Sequence, residues 1–277
     1  MNFIKLTIDT TNQDVELMTS RLLDLGITGF ELDSGGFPNI TVYLEDNEQG
    51  RGTLSKVQNL GYEYKTGYVA EEDWANNWKQ YFKPFNVGKL TILPTWETDN
   101  CTLSTINCQL TIDPGSAFGT GQHASTYLCL ELLSDHVKAG DNVTDIGCGS
   151  GILSAAAGLL GADRITAIDI SENATRITKE TLDTNNIKNY RIFCGDLTAD
   201  RALQKELGDD NDIIIANITA DIIISMVGVF PKSNKLLLSG IINTRLPEVT
   251  KALNNAGYII IETREKEDWV ALVCIKN

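Results

Sequence analysis

The residues with the clearest chemical capacity lie in the run Val143-Thr144-Asp145-Ile146-Gly147-Cys148-Gly149-Ser150-Gly151. It reads as a buried strand entering a glycine-rich turn that opens a helix. Glycine permits positive φ and lets backbone approach a ligand closely. Eighteen residues after Gly151, Asp169 lies at the end of a second apolar run, Arg164 to Ile170. An acid at the tip of that next strand is placed to accept hydrogen bonds from ribose hydroxyls. Together the turn and the acid indicate a site for a nucleoside-containing cofactor. A structural strand–turn–helix corner with no ligand is the plainer alternative.

Two cofactor classes fit such a turn. Dinucleotide sites use G-x-G-x-x-G, with the pyrophosphate at the helix N-terminus. Here the third glycine comes one residue earlier, giving G-x-G-x-G with Ser150 in the gap. That spacing is associated with S-adenosyl-L-methionine enzymes, whose ligand has no phosphate to cradle. Two more segments belong to the same chemistry. The loop from Asp113 to Thr126 carries glycines at 115, 119 and 121 and several hydroxyl residues. Phe118 offers a flat apolar surface for an adenine or a methionine side chain, and Thr126 falls near the expected cofactor carboxylate. Ile213-Ile214-Ile215-Ala216-Asn217 reads as a later strand of the same sheet. Ligands of open α/β sheets bind beyond the carboxyl ends of strands, so Asn217 is placed to face the transferring methyl. Its amide oxygen can accept a hydrogen bond from an incoming amine. The plainer readings are a glycine-rich capping loop and an Asn that caps the next helix.

The elements that must position these residues follow from periodicity. Residues 85–277 alternate strands and helices. A small β segment (90–93, 109–112) precedes a helix from about Gln122 to Val137. Strands are expected at 143–146, 164–169, 190–194, 212–216, 235–239, 258–262 and 269–275, with helices between most of them. The last two have no helix between them and should pair as a hairpin. The expected fold is α/β, a seven-stranded, doubly wound, Rossmann-like sheet, mostly parallel with an antiparallel last strand. Dinucleotide folds usually lack that hairpin, which favours a methyltransferase domain. Residues 1–70 read as strand, helix (Gln13 to Leu25), two strands, short helix and strand, the order of a small ferredoxin-like α+β domain. Between them, residues 71–84 place Trp74, Trp78, Tyr81 and Phe82 on one helical face, with Asp73 as N-cap and Pro84 as the stop. This predicts a linker helix with a buried aromatic stripe.

Composition narrows the function classes. The net charge of −14 argues against nonspecific nucleic-acid affinity, which needs Lys and Arg to displace counterions. It suits a basic partner through electrostatic steering, although solubility alone would also account for it. No apolar run reaches the ~18 residues of a membrane span, and the N-terminus lacks signal-peptide features. The six cysteines form no C-x-x-C pair and only two histidines are present. No metal site is expected, and the thiols should be free in a reducing cytoplasm.

Five ordered motifs carry a closer resemblance: D-P-G-S-A-F-G-T-G-Q-H-A-S-T, D-I-G-C-G-S-G-I-L, A-N-I-T-A-D, L-S-G-I-I and E-D-W-V-A-L-V. With Glu71 to Lys79 and Tyr81 to Pro84, they make the chain resemble the bacterial methyltransferases that modify large-subunit ribosomal protein eleven. Gln122 and Ala124 depart from the Thr and Pro expected in many members. The resemblance implies methyl transfer from S-adenosyl-L-methionine to lysine ε-amines and an N-terminal α-amine. It implies cofactor contacts at Thr126, Gly147, Asp169 and Asn217, with Phe118, Gly149 and Asp196 beside them, and a substrate-recognising N-terminal domain. It also implies a ribosomal protein as partner. With the composition, the expectation is a cytoplasmic monomer, with no membrane and no direct nucleic-acid readout. Nucleic-acid amino methyltransferases typically carry prolines after the fourth strand, where this chain has Ile218-Thr219. A methyltransferase with another acceptor, a nucleotide-dependent oxidoreductase and a silent ribosome-binding module are the competing classes.

Overall fold

The computed structural model describes residues 2–9, 18, 21–22, 25, 27, 30–33, 39–70, 82–97, 108–114 and 120–277. Two compact units are present, Met1–Phe82 and Lys83–Asn277.

In the first unit, strands β1 (Asn2–Asp9), β2 (Phe30–Asp33), β3 (Asn39–Glu45) and β4 (Tyr64–Ala70) form an antiparallel sheet in the order β2-β3-β1-β4. Strict alternation places Ile4, Leu6 and Ile8 opposite Leu44, Val42 and Ile40 on one face. That face forms a core with Met18, Leu22 and Val57. Helix α1 (Glu48–Gln58) begins where the Asn47 side chain accepts the Gly50 N–H at 2.8 Å. Of the helix expected over Gln13 to Leu25, Met18, Arg21 and Leu22 are helical and most of the rest lies outside the described residues. The expected linker helix also lies outside them over 71–81, including Asp73, Trp74, Trp78 and Tyr81. Residues 82–84 are not helical, and Phe82 is buried.

The second unit opens with a small sheet, β5 (Phe85–Val87), β6 (Leu90–Pro94) and β7 (Cys108–Ile112). Helix α2 (Ala124–His136) follows. Then come β8 (Asn142–Ile146), α3 (Ile152–Leu159), β9 (Arg164–Asp169), α4 (Glu172–Thr184), β10 (Tyr190–Cys194) and α5 (Arg201–Leu207). The remainder is β11 (Asn211–Asn217), α6 (Ala220–Met226), β12 (Ser233–Ile242), α7 (Leu246–Asn255), β13 (Tyr258–Lys266) and β14 (Trp269–Lys276). The seven strands lie in the order β10-β9-β8-β11-β12-β14-β13. Strands β8 to β12 run parallel, and β14 runs antiparallel to both of its neighbours. The direction of winding reverses between β8 and β11, the switch point at which open sheets bind ligands.

Strand β12 runs to Ile242, beyond the expected end at Ser239, because a bulge between Leu238 and Ile241 keeps it paired with β14. The outer edge of β7 is closed by a side chain. Asn185 Oδ1 accepts the Thr111 N–H at 2.8 Å, and its Nδ2 donates to the Thr111 carbonyl at 2.7 Å. This ties the strand that precedes the loop at 113 to the end of α4.

Candidate cofactor and acceptor site

The turn after β8 is held from three sides. Gly147 and Cys148 N–H groups donate to the Ile168 carbonyl at 2.8 and 3.0 Å. Gly149 N–H donates to Asp169 Oδ2 at 3.0 Å, and Gly151 N–H to the Cys148 carbonyl at 2.8 Å. Helix α4 supplies two hydroxyls. Thr178 donates to the Gly149 carbonyl at 3.1 Å, and Thr181 to the Ser150 carbonyl at 2.7 Å. Gly151 sits at φ 77° as N-cap of α3, and a Cβ there would lie 2.8 Å from Thr178 Cα. Only glycine satisfies both the dihedral and the close approach of α4.

These bonds discriminate between cofactor classes. A pyrophosphate cradle needs amide N–H groups aimed outward at the ligand. Here the amides of 147, 148, 149 and 151 are engaged within the protein. The turn is a rigid floor, and it suits a ligand without phosphates.

A cleft of about 430 Å³ opens over the ends of β8, β9 and β10, within the roughly 300–1,000 Å³ range of small-molecule sites. Gly147, Asp169 and Asp196 line it, with apolar walls from Ile146, Ile168, Ile170, Leu197, Ile218, Ile222 and Met226. Asp169 is fixed at both oxygens, since Oδ1 also accepts the Ser171 N–H at 2.9 Å. Each carboxylate oxygen has further acceptor capacity, which suits two ribose hydroxyls. Asp196 Oδ1 accepts the Thr198 N–H and hydroxyl at 2.8 and 2.7 Å, and these bonds hold its carboxyl below the usual carboxylate range.

At the end of β11, Asn217 Nδ2 donates to Thr126 Oγ1 at 3.1 Å. Asn217 is not a helix cap: Thr219 takes the N-cap position of α6, with no side-chain cap bond. Thr126 lies in the first turn of α2. Its N-cap, His123, accepts the Ser125 N–H at Nδ1, 3.3 Å away, and lies 2.8 Å from the Ser125 hydroxyl. The His123 ring meets Trp269 edge-on at 4.7 Å, and burial lowers its pKa. On the other side, Ile218 N–H donates to the Ser239 carbonyl at 3.2 Å. Gly240, at φ 82°, lets β12 pass the Ile218 carbonyl, where a Cβ would collide.

The expected residues therefore fall into two groups. Gly147, Gly149, Asp169 and Asp196 meet at the turn and cleft, while Thr126 and Asn217 meet at a corner. Ile218 joins the groups, because it lines the cleft and follows Asn217. Phe118 lies outside the described residues. Sequence reasoning missed Asp145, which is fully buried on β8. Its Oδ2 accepts the Ser154 hydroxyl at 2.6 Å, while Oδ1 has no partner among the described residues. Burial pushes its carboxyl up to about 7. It also missed Thr178, Thr181, His123 and Trp269. Among the described residues no cluster suits a metal ion, and the five described cysteines are free.

The sheet order, the antiparallel final strand and the acid-anchored glycine turn define an S-adenosylmethionine-dependent methyltransferase domain. The sequence profile described as ribosomal protein L11 methyltransferase (PrmA) matches residues 2–277. The chain belongs to the ribosomal protein L11 methyltransferase family. The ribosomal protein L11 methyltransferase of Lachnoclostridium phytofermentans is 33% identical, over 100% of this chain and 99% of that one. That of Thermoanaerobacter pseudethanolicus is 40% identical over 78% of this chain and 69% of its own. Among solved structures, a ribosomal protein L11 methylase from Lactobacillus delbrueckii subsp. bulgaricus superposes with a TM-score of 0.63 at 29% identity. It covers 71% of this chain and 100% of the other.

Proposed function

We propose that this chain transfers methyl groups from S-adenosyl-L-methionine to lysine ε-amines and the N-terminal α-amine of ribosomal protein L11. Membership of the family carries the substrate class, and the glycine turn, with the amides of Gly147, Cys148, Gly149 and Gly151 bonded within the protein beside Asp169, supports the donor. Asp169 would hold the ribose. Gly147, Gly149 and Asp196 would border the adenosyl end, and Thr126 and Asn217 would stand at the methionine end, with Phe118 in the loop before α2. The bound donor supplies a methyl group on a sulfonium that is already activated for displacement.

What the protein adds is alignment. The acceptor must be neutral to have a lone pair, whereas free lysine has a pKa of about 10.4. Loss of hydration at an apolar site lowers that value. Asn217 Oδ1 can accept a hydrogen from the amine and aim its lone pair. No general base beyond solvent is required in this scheme.

The antiparallel order β2-β3-β1-β4 supports a ferredoxin-like reading of residues 1–70 as the substrate-recognition domain. Residues 71–84 would link it to the methyltransferase domain over 85–277. The enzyme would act as a cytoplasmic monomer; the net charge of −14 supports the lack of direct nucleic-acid readout. No described helix is long and apolar enough to cross a membrane. The test is incubation with labelled S-adenosylmethionine and purified ribosomal proteins, followed by mass spectrometry. Label on lysines or the N-terminal amine of ribosomal protein L11 is the expected outcome. Absence of label there, with the donor bound, defeats the reading.

A further inference from the structure

We propose that Asp145 senses the charge of the donor. Its carboxyl is neutral in the ligand-free protein and ionises when the sulfonium enters the cleft. It takes a proton back once the methyl has left and the sulfur is neutral. The site thereby distinguishes fresh donor from spent product. This deepens the functional reading above and rests on it for the donor. Asp145 does not line the cleft, and it acts on the ligand across the turn that follows it.

Asp145 is fully buried near the end of β8. Among the described residues its carboxyl bonds only to Ser154 of α3, whose hydroxyl lies 2.6 Å from Oδ2, and Oδ1 has no partner. A neutral or an ionised carboxyl can bond to a hydroxyl, so this contact does not set the charge. The surroundings do. Its neighbours in register are Ala167 on β9 and Ile215 on β11, both apolar and fully buried. The titratable groups that face it are Cys129 of α2, Cys148 of the turn and Asp169 of β9. Burial pushes both thiols up, so they stay protonated, and Asp169 is a like charge. No cation among the described residues acts on Asp145. A carboxylate there lacks both water and counterion, and the neutral acid is the stable form.

The missing counterion is what the donor brings. Ile146 and Gly147, the next two residues in the chain, line the cleft, and so does Asp169. The charge of Asp169 is already felt at Asp145 and raises its carboxyl. A positive charge in the same cleft acts across the same water-poor floor with the opposite sign, and favours the ionised form. The proton released passes to solvent, and no other bond forms or breaks. On methyl transfer the electron pair of the breaking C–S bond stays with sulfur, and the positive charge leaves with the methylated amine. Asp145 then takes a proton from solvent. By linkage, a ligand that ionises Asp145 binds more tightly where Asp145 is already ionised. Donor affinity therefore rises with pH up to about 7 and then levels off, while product affinity stays flat.

The test is calorimetric titration with S-adenosylmethionine and with S-adenosylhomocysteine in buffers of different ionisation enthalpy, which counts the protons released on binding. Near pH 6 both ligands carry a protonated amino group, so they differ in the charge on sulfur alone. The parent, with its carboxyl at about 7, should release about 0.9 proton with the donor and less than about 0.3 with the product. Asp145→Asn should release no more with the donor than with the product. From about pH 6 to about pH 7.5 the donor-to-product affinity ratio should rise about eightfold in the parent and stay level in the variant. Equal release with the two ligands in the parent, or parental release in Asp145→Asn, overturns the proposal. If Asp145→Asn does not fold, the two-ligand comparison in the parent decides, beside ¹³C carboxyl spectra of the ligand-free parent. Those spectra should show an aspartate titrating at about 7, and its absence overturns the proposal. They need no ligand, so a chain that binds neither ligand would defeat the functional reading separately.

Discussion

The two ends of the site are built on opposite plans. The glycine turn is held redundantly, by backbone bonds to β9, by Asp169 and by two hydroxyls from α4. Among the described residues, the corner at Asn217 is held to α2 by a single side-chain hydrogen bond. Redundancy suits a floor that must keep its shape whether or not a ligand is present. The turn should therefore tolerate loss of any one polar partner but not loss of its backbone geometry, and the corner should show the reverse.

The largest effect should come from Gly151→Ala. It forces a Cβ against the α4 backbone at positive φ and should cost about 3 kcal/mol of stability, read by thermal unfolding, together with donor binding read by calorimetry. A variant of parental stability would break the claim that the turn is rigid. Next comes Asn217→Ala. Turnover should drop about a hundredfold while donor affinity changes a few-fold at most. Equal losses in both would merge the two ends into one binding surface.

Asp145 is the exception within the turn region, because its carboxyl bonds to Ser154 while Oδ1 has no partner among the described residues. Its carboxyl is raised from 3.8 to about 7, so the folded state favours the neutral form. The corresponding stability is complete below about pH 4 and is lost as pH rises through about 7. Asp145→Asn, which cannot ionise, should gain about 2 kcal/mol over the parent at pH 8 and little at pH 5. Parallel stability–pH curves for the two proteins would refute this. The smallest effect should belong to Thr178→Val, about 1 kcal/mol of stability, with donor affinity within about threefold. A larger loss of affinity would show that the turn is less redundant than its bonds suggest.

The strands and their hairpin were legible in the sequence because the apolar runs over 143–146, 164–169 and 212–216 are short, rich in β-branched residues and bounded by turn signals. Asp169 and Asn217 were legible because each ends such a run. Strand β5, three residues long, carries too little pattern to read. Thr178 and Thr181 look like solvent-facing polar residues of ENATRITKETLDT, yet both are buried against carbonyls about 30 positions earlier. A hydroxyl satisfied by a distant carbonyl leaves no local mark. Asp145 was opaque for a similar reason, since a buried acid within an apolar strand looks like any other strand acid until its surroundings are known.

The place of β14 in the sheet bears on how the molecule is made. It lies between β12 and β13, and every residue from Val270 to Cys274 is buried there. During synthesis β13 therefore emerges with no neighbour to pair with, and β12 presents an open edge until the following segment leaves the exit tunnel. The corner depends on the same event, because Ser239 is braced by Val270 and His123 by Trp269. A chain stalled before residue 269 would carry a finished glycine floor and an unfinished amide corner.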